Sequence, residues 1–214
     1  MHILHFLADG RVGGPQVRIV RVHEAMLQLD TPIETIVACP PTQPDGYFDR
    51  QGMQHVLVQW HKPRAEQPLL SGLGWLFSGL WKDVSACRKI IRQYPRALAY
   101  VNGAILLAAA IAAVLEKAAW VWHLNDTSVP RFLALVVRAV LYWGKGRPIA
   151  ASNSVVKYYR LPANSSVLYP PVQVMQRQDA KQNLVNYLGV MANLSPGKGI
   201  ENVIEAFALA TCAT

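Results

Sequence analysis

Three short stretches of the chain hold residue types whose spacing suits work on an anion. The first is Gly10-Arg11-Val12-Gly13-Gly14, set between an apolar run and a segment with helical spacing. Glycines there let backbone approach a ligand closely, and a helix N-terminus offers free N–H groups to negative charge. The spacing is G-x-x-G-G rather than the dinucleotide pattern G-x-G-x-x-G, so a tight turn explains this loop taken alone. The second stretch is Trp122-His123-Leu124-Asn125-Asp126-Thr127, at the end of another apolar run. His123 and Asn125 are two apart on an extended segment and so point to the same side. Asp126 opens the following turn and serves equally well as its cap. A single histidine at a strand end is more often a satisfied structural residue than a ligand. The third is Asn193-Leu194-Ser195-Pro196-Gly197-Lys198-Gly199, ahead of a helical segment from Ile200. Lys198 between two glycines is placed to meet a phosphate, although the P-loop spacing is absent and a solvated loop lysine fits as well.

The elements that must position these residues alternate between strand and helix. Apolar runs at 2–7, 33–38, 54–59, 98–101, 120–124, 148–151 and 167–169 predict strands. Helical spacing predicts helices at 17–29, 75–93, 104–117, 129–143 and 152–161, the last opened by a Ser152 cap. The Pro- and Gly-punctuated stretch 61–74 reads as a loop. Near-continuous apolar strands separated by helices predict an α/β fold, an open doubly wound parallel sheet covered on both faces. In such sheets ligands bind at the carboxyl ends of the strands, where the first two stretches fall.

That domain is expected over residues 1–172, followed by a polar linker at 173–183 and a new unit at 184–214. The new unit has one strand (184–191) and one helix (200–210), too little to bury its own apolar faces. It reads as the opening of a second, incomplete domain, and the chain as truncated.

Composition narrows the partners. Of 214 residues, 52% are hydrophobic, enough for a sizeable core, and only 16% are charged. The formal net charge of +8 on so few charges points to an anionic partner such as phosphate, nucleic acid or an acidic membrane. No helix-turn-helix or RNA-binding signature appears, which sets nucleic acid aside. Cys39, Cys87 and Cys212 are scattered, without CxxC or Cys/His spacing, so neither a disulfide framework nor a metal site is expected. The N-terminus lacks a signal-peptide pattern, and the longest apolar segments, 103–115 and 132–143, are too short to span a membrane. The expected location is cytoplasmic. Leu, Trp and Phe at 69–81, followed by Lys82, Arg88, Lys89 and Arg92, suit peripheral contact with an anionic membrane, though burial against the sheet explains the apolar side equally. No G-x-S-x-G element supports hydrolase chemistry.

Taken together these positions resemble family 4 glycosyltransferases, the group 1 superfamily with the GT-B fold. The opening ILHFLADGRVGGPQVRIVRVHEAML is similar to that family's first strand, Gly-Gly loop and helix. Ile149-Ala150-Ala151-Ser152-Asn153-Ser154-Val155 and Val167-Leu168-Tyr169-Pro170-Pro171-Val172 resemble two later segments, and LGVMANLSPGKGIENVIEAFALA resembles the most specific motif. The resemblance implies two Rossmann-like domains across a cleft, an acceptor domain and a nucleotide-sugar domain. It implies sugar transfer from a nucleotide-diphosphate sugar to a lipid-linked or polysaccharide acceptor, as in cell-envelope polysaccharide synthesis. It also implies that Gly13 and Gly14 lie against the donor diphosphate and that Lys198 contacts its phosphates. A divalent metal is not usually required, and the donor is a substrate rather than a cofactor.

Three departures stand out. Asn193 occupies the position where the family commonly carries a phosphate-binding arginine. The family's strand-end histidine, commonly followed by Asp, aligns with Asn125 and Asp126, leaving His123 two residues early. Either His123 substitutes for it or the acceptor contact has changed, so His123, Asn125 and Asp126 are the candidate catalytic positions. The paired glutamates of the family's E-x7-E motif would fall beyond Thr214, so this fragment by itself is not expected to be active. The competing readings are a non-catalytic, membrane-associated acceptor-binding module and, disfavoured by its missing glycine pattern, a Rossmann oxidoreductase.

Overall fold

Short apolar strands that alternate with helices favour parallel pairing, because a helix can carry the chain back over the sheet to start the next strand in the same direction. The computed structural model describes residues 2–30, 33–61, 69–163, 165–170, 190 and 199–212, excluding the side chains of 69–78 and 211–212. Its strands are β1 (His2–Leu7), β2 (Glu34–Cys39), β3 (Gln54–Leu57), β4 (Ala97–Asn102), β5 (Trp120–Leu124), β6 (Arg147–Ala150) and β7 (Ser166–Val167). They form one sheet in the order β3-β2-β1-β4-β5-β6-β7, parallel throughout. The helices are α1 (Gly14–Leu27), α2 (Leu69–Gln93), α3 (Leu107–Leu115), α4 (Arg131–Gly144), α5 (Asn153–Tyr159) and α6 (Ile200–Cys212). This is the α/β, doubly wound, Rossmann-like sheet, with its order reversing between β1 and β4. The chain divides into two compact units, Met1–Val172 and Gln173–Thr214, and α6 belongs to the second.

Register decides which side chains share a face. His5 pairs with Val37 and Tyr100, and Leu7 pairs with Asn102, which pairs in turn with His123. On this face Ile19 and Val20 of α1 pack with Leu7, Val37, Cys39, Phe48 and Met53. The opposite row, including Leu4, Phe6, Ile36, Val101 and Trp122, belongs to the larger core that buries α2 to α5. Five buried alanines along α3 (Ala108, Ala109, Ala110, Ala112, Ala113) leave room for the helix to lie close to its neighbours. The wide Trp120 ring fits because a Cβ at Gly146 would stand only 2.3 Å from it. Ser152 accepts a hydrogen bond from the Val155 amide at 3.3 Å, capping α5.

One element departs from expectation. Helix α2 begins at Leu69, within the stretch 61–74 read as a loop. Leu69, Leu73, Leu76 and Leu80 recur at helical spacing, and that periodicity outweighs the punctuation of Gly72 and Gly74. The linker at 173–183 lies outside the described residues, as does the strand at 184–191 apart from Val190.

The loop after β1 is fixed by close backbone contact. A Cβ at Gly10 would meet the Pro41 carbonyl oxygen at 1.9 Å, whereas one at Gly14 would meet nothing within 4 Å. The Gln43 amide donates to the Gly10 carbonyl at 3.0 Å, tying this loop to the one after β2. Gly10→Ala is therefore expected to destabilise the fold by about 1–3 kcal/mol. Gly14→Ala should stay within about 0.5 kcal/mol of the parent in chemical denaturation.

On the other side of the sheet Glu116, just past α3, accepts from Arg92 Nε at 2.8 Å and Arg88 Nε at 2.5 Å. These bonds, Arg92's first, hold its carboxyl at about 2, against an ordinary 4.5. Because the folded value is the lower one, the pair's contribution is complete above pH 4.5 and is lost as pH falls toward 2. Urea midpoints measured across this range should fall less steeply for Glu116→Gln than for the parent chain.

Candidate functional site

The switch point between β1 and β4 is where an open α/β sheet leaves a crevice at its carboxyl edge. Three segments meet there: the glycine loop leading into α1, Asn102-Gly103 at the end of β4, and Asn125 just beyond β5. Gly103 turns the chain with φ +98, a conformation glycine adopts without penalty. Its amide donates to the His123 carbonyl at 2.8 Å, and its own carbonyl accepts from Trp122 Nε1 at 2.9 Å.

Helix α1 starts at Gly14, with Gly13 as its cap residue and Pro15 in its first turn. No side chain caps it, and its first turn holds no acidic residue. Gln16 instead braces the loop, donating to the Asp9 carbonyl at 2.8 Å and accepting from the Gly13 amide at 3.2 Å. Among the described residues nothing crowds the space beside Gly14, which leaves the helix N-terminus open to a ligand on this unit.

The centre of the arrangement is Arg18, which the sequence analysis did not single out. It is only 9% exposed, and its guanidinium reaches from α1 across β4 to β5. Nη1 donates to Asn125 Oδ1 at 3.1 Å and to His123 Nε2 at 3.3 Å, while Nη2 donates to Asn102 Oδ1 at 3.0 Å. Every one of these acceptors is neutral, and among the described residues no carboxylate pairs with Arg18. Burial draws its pKa below the ordinary arginine value, partly offset by Tyr100. A guanidinium has five N–H donors, so three bonds to neutral groups leave it both charged and incompletely used.

Arg18 also fixes the state of the histidines. A guanidinium only donates, so His123 Nε2 must be the bare acceptor nitrogen. The proton then sits on Nδ1, which donates to the Tyr100 hydroxyl at 2.7 Å. Burial, and next the charge of Arg18, hold His123 at a pKa of about 3. His5, tilted against Tyr100 with ring centroids 4.8 Å apart, is likewise held at about 3 by burial and then by Arg18.

The structure thus brings His123 and Asn125 onto one guanidinium, beside the helix that carries Gly13 and Gly14. His123 is fully buried, with both ring nitrogens engaged. Asn125 is partly exposed and presents the sheet end toward solvent. Asp126 is exposed and accepts from the Ser128 amide at 2.9 Å and its hydroxyl at 2.5 Å, forming the turn that leads to α4. Asn193 and Lys198 lie outside the described residues. The side chains of 69–78 do as well, so of the aromatic stretch only its end is described, with Trp81 58% exposed. Among the described residues no group of three His, Cys, Asp or Glu side chains is placed to hold a metal. Nor is any described helix long and apolar enough to cross a membrane.

A signal for Arg18 existed in the strands. Tyr100, Asn102 and His123 interrupt otherwise apolar runs near their carboxyl ends, and buried polar groups at one level require a shared partner.

The sheet order and the polar cluster at its switch point define a class, the Rossmann-like α/β domains that build sites from loops at the carboxyl edge. Comparison with known proteins places this chain beside particular members of that class in fold. No protein-family model matches the chain, and no curated protein matches it. Among solved structures, a glycosyltransferase from Rickettsia africae ESF-5 is similar over 97% of this chain and 49% of its own, with TM-score 0.57 and 14% identity. The S. aureus MnaA–UDP co-structure is similar over 78% of this chain and 43% of its own, with TM-score 0.50 and 12% identity. This chain therefore spans about half the length of either structure, and at these identities the likeness is one of fold.

The Arg18 network carries a testable consequence. Long-range proton–nitrogen spectra should show His123 as the neutral Nδ1–H tautomer down to about pH 4. Both histidines have folded pKa values below the ordinary 6.5, so their contribution is complete above 6.5 and is lost as pH falls toward 3. Arg18→Met strands two buried acceptors, Asn102 and His123, and should cost about 1–3 kcal/mol. The same change should raise the His123 pKa, though not to 6.5, since burial is the larger cause.

Proposed function

We propose that this chain is the acceptor-domain half of a GT-B glycosyltransferase of the family 4 type, joined to the start of its nucleotide-sugar domain. The reaction is transfer of a hexosyl group from a nucleotide-diphosphate sugar to a lipid-linked or polysaccharide acceptor. The observation that carries this reading is Arg18, a buried cation bonded among the described residues only to neutral groups, beside a helix N-terminus where no described atom crowds Gly14. Such a site suits a diphosphate, whose negative charge grows as the glycosidic bond breaks. The fold likeness to the Rickettsia glycosyltransferase and to a structure that holds UDP supports the same reading.

In this scheme the amides at Gly13 and Gly14 and the field of Arg18 stabilise the departing diphosphate, and the family resemblance proposes Lys198 as a further phosphate contact. Asn125 and Asp126 stand on the acceptor side of the same edge. His123 acts as a positioning residue, holding Arg18 level with Asn125. The donor is a substrate, and the scheme calls on no metal or cofactor. Catalysis is proposed for the complete protein, of which these residues supply one part.

One observation favours the second reading, a non-catalytic acceptor-binding module. His123 offers no free ring nitrogen to a substrate, because Arg18 and Tyr100 take both. Amide spectra of the labelled 214-residue chain, titrated with UDP, UDP-glucose, UDP-N-acetylglucosamine and GDP-mannose, separate the two readings. The transferase reading expects shifts at Gly13 and Gly14 that weaken about tenfold or more in Arg18→Met, as for loss of a charge-assisted bond. Glycan acceptors that shift Asn125 and Asp126, with no nucleotide moving the glycine loop, would select the binding module.

A further inference from the structure

Arg18 is engaged at three of its five N–H positions. Nη1 gives both of its N–H bonds, to Asn125 at 3.1 Å and His123 at 3.3 Å, and Nη2 gives one, to Asn102 at 3.0 Å. The Nε–H and the second Nη2–H have no partner among the described residues. Nε is not among the buried polar atoms that lack a partner, so solvent reaches it. An incoming oxygen can therefore meet the guanidinium without displacing a bond of the fold.

The two asparagines hold Arg18 under different constraints. Asn102 has to be an amide. Its Nδ2 donates to the Phe6 carbonyl at 3.1 Å and to the Tyr100 carbonyl at 3.4 Å, which turns Oδ1 toward Arg18. A carboxylate in that place would set an oxygen against two carbonyls. Asn125 is under no such requirement. It is half-buried, its Oδ1 takes the Arg18 bond, and its Nδ2 donates to no group among the described residues. A carboxylate of the same shape would accept that bond with roughly twice the strength, as a charge-assisted pair. Asp126 stands one residue further on, yet its carboxylate is turned into its bonds with Ser128. The chain thus places an amide where an acid of equal size would hold Arg18 more tightly, and such local losses gather at sites of function.

We propose that Asn125 determines what this site accepts: its neutral amide positions Arg18 without cancelling its charge, and so reserves the guanidinium for an oxygen of a diphosphate. The proposal rests on the anion-binding reading of the switch point given above, and it makes Asn125 a positioning residue that acts through Arg18. Stability and binding should then move in opposite directions. Asn125→Asp strengthens the tie to Arg18, while it sets a negative charge against that of the ligand.

The test titrates the whole 214-residue chain with inorganic pyrophosphate and with UDP, and follows the Arg18 Nε–H and the Gly13 and Gly14 amides by nitrogen-resolved proton spectra. Both probes should shift these signals in the parent. Asn125→Asp should weaken both about tenfold or more at low salt, as for a like charge a few ångströms from the ligand. Its melting temperature should equal or exceed the parent's. Added sodium chloride should narrow the difference in binding. Asn125→Ala loses the bond but adds no charge, and should weaken binding only about threefold. Parent-like binding by Asn125→Asp would overturn this proposal and leave the anion site standing. Equal losses in Asn125→Ala and Asn125→Asp would overturn it too, because Asn125 would then touch the ligand itself. A lower melting temperature for Asn125→Asp would show that no tighter pair with Arg18 forms, and would count against it in the same way. A parent chain that binds neither probe would remove the anion site, and this proposal with it.

Discussion

A guanidinium enclosed by neutral acceptors sets the terms for much of this structure. Arg18 joins α1 to the ends of β4 and β5 through Asn102, His123 and Asn125. Among the described residues no carboxylate offsets its desolvated charge, an expensive arrangement unless hydrogen bonds are plentiful or an anion visits. Both conditions shape the surroundings. The strand ends beneath it carry Asn102 and His123, and among the described residues nothing crowds Gly14. Burial first, and then the same charge, keep His5 and His123 neutral, so the network behaves as one cation on a neutral polar bed. The tautomer of His123 follows, because a group that only donates leaves its partner no choice.

The two faces of the sheet divide the remaining work. On the face that meets α2 to α5, apolar packing is continuous, and alanines on α3 bring helix and strands close. Closeness is also why glycines matter here for different reasons. Gly10 and Gly146 are filled spaces, one against the Pro41 backbone and the other against Trp120. Gly14 borders empty space, so nothing within the described fold requires it to lack a side chain. A glycine demanded by packing and a glycine that leaves room for a ligand look identical in sequence.

Much of the fold was legible because burial leaves a plain pattern. His2–Leu7 and Trp120–Leu124 run between the bounds their apolar stretches mark. The alternation of such runs with helical segments left a parallel sheet as the consistent solution. The period of two in a strand was enough to put His123 and Asn125 on one side. The start of α2 was obscured because Gly72 and Gly74 look like turn residues, although the leucines around them keep helical time. Arg18 was hidden for a related reason. In V-R-I-V a lone arginine on a helix reads as a solvated side chain, and nothing local tells that its flank overhangs two strands.

What the sequence determined by itself is the set of elements, their parallel pairing, and the edge of the sheet where chemistry belongs. Those follow from local rules: which faces are apolar, where helices cap and where glycine relieves the backbone. What only the tertiary structure decided is which distant residues meet. Arg18 and His123 stand 105 residues apart, and they touch because β4 and β5 lie consecutively beside β1 in one register. Apolar periodicity states which way a side chain faces but carries no information about which strand is next to it. Strand order and register are settled by the packing of the whole sheet, and with them the partners of every polar group at its edge.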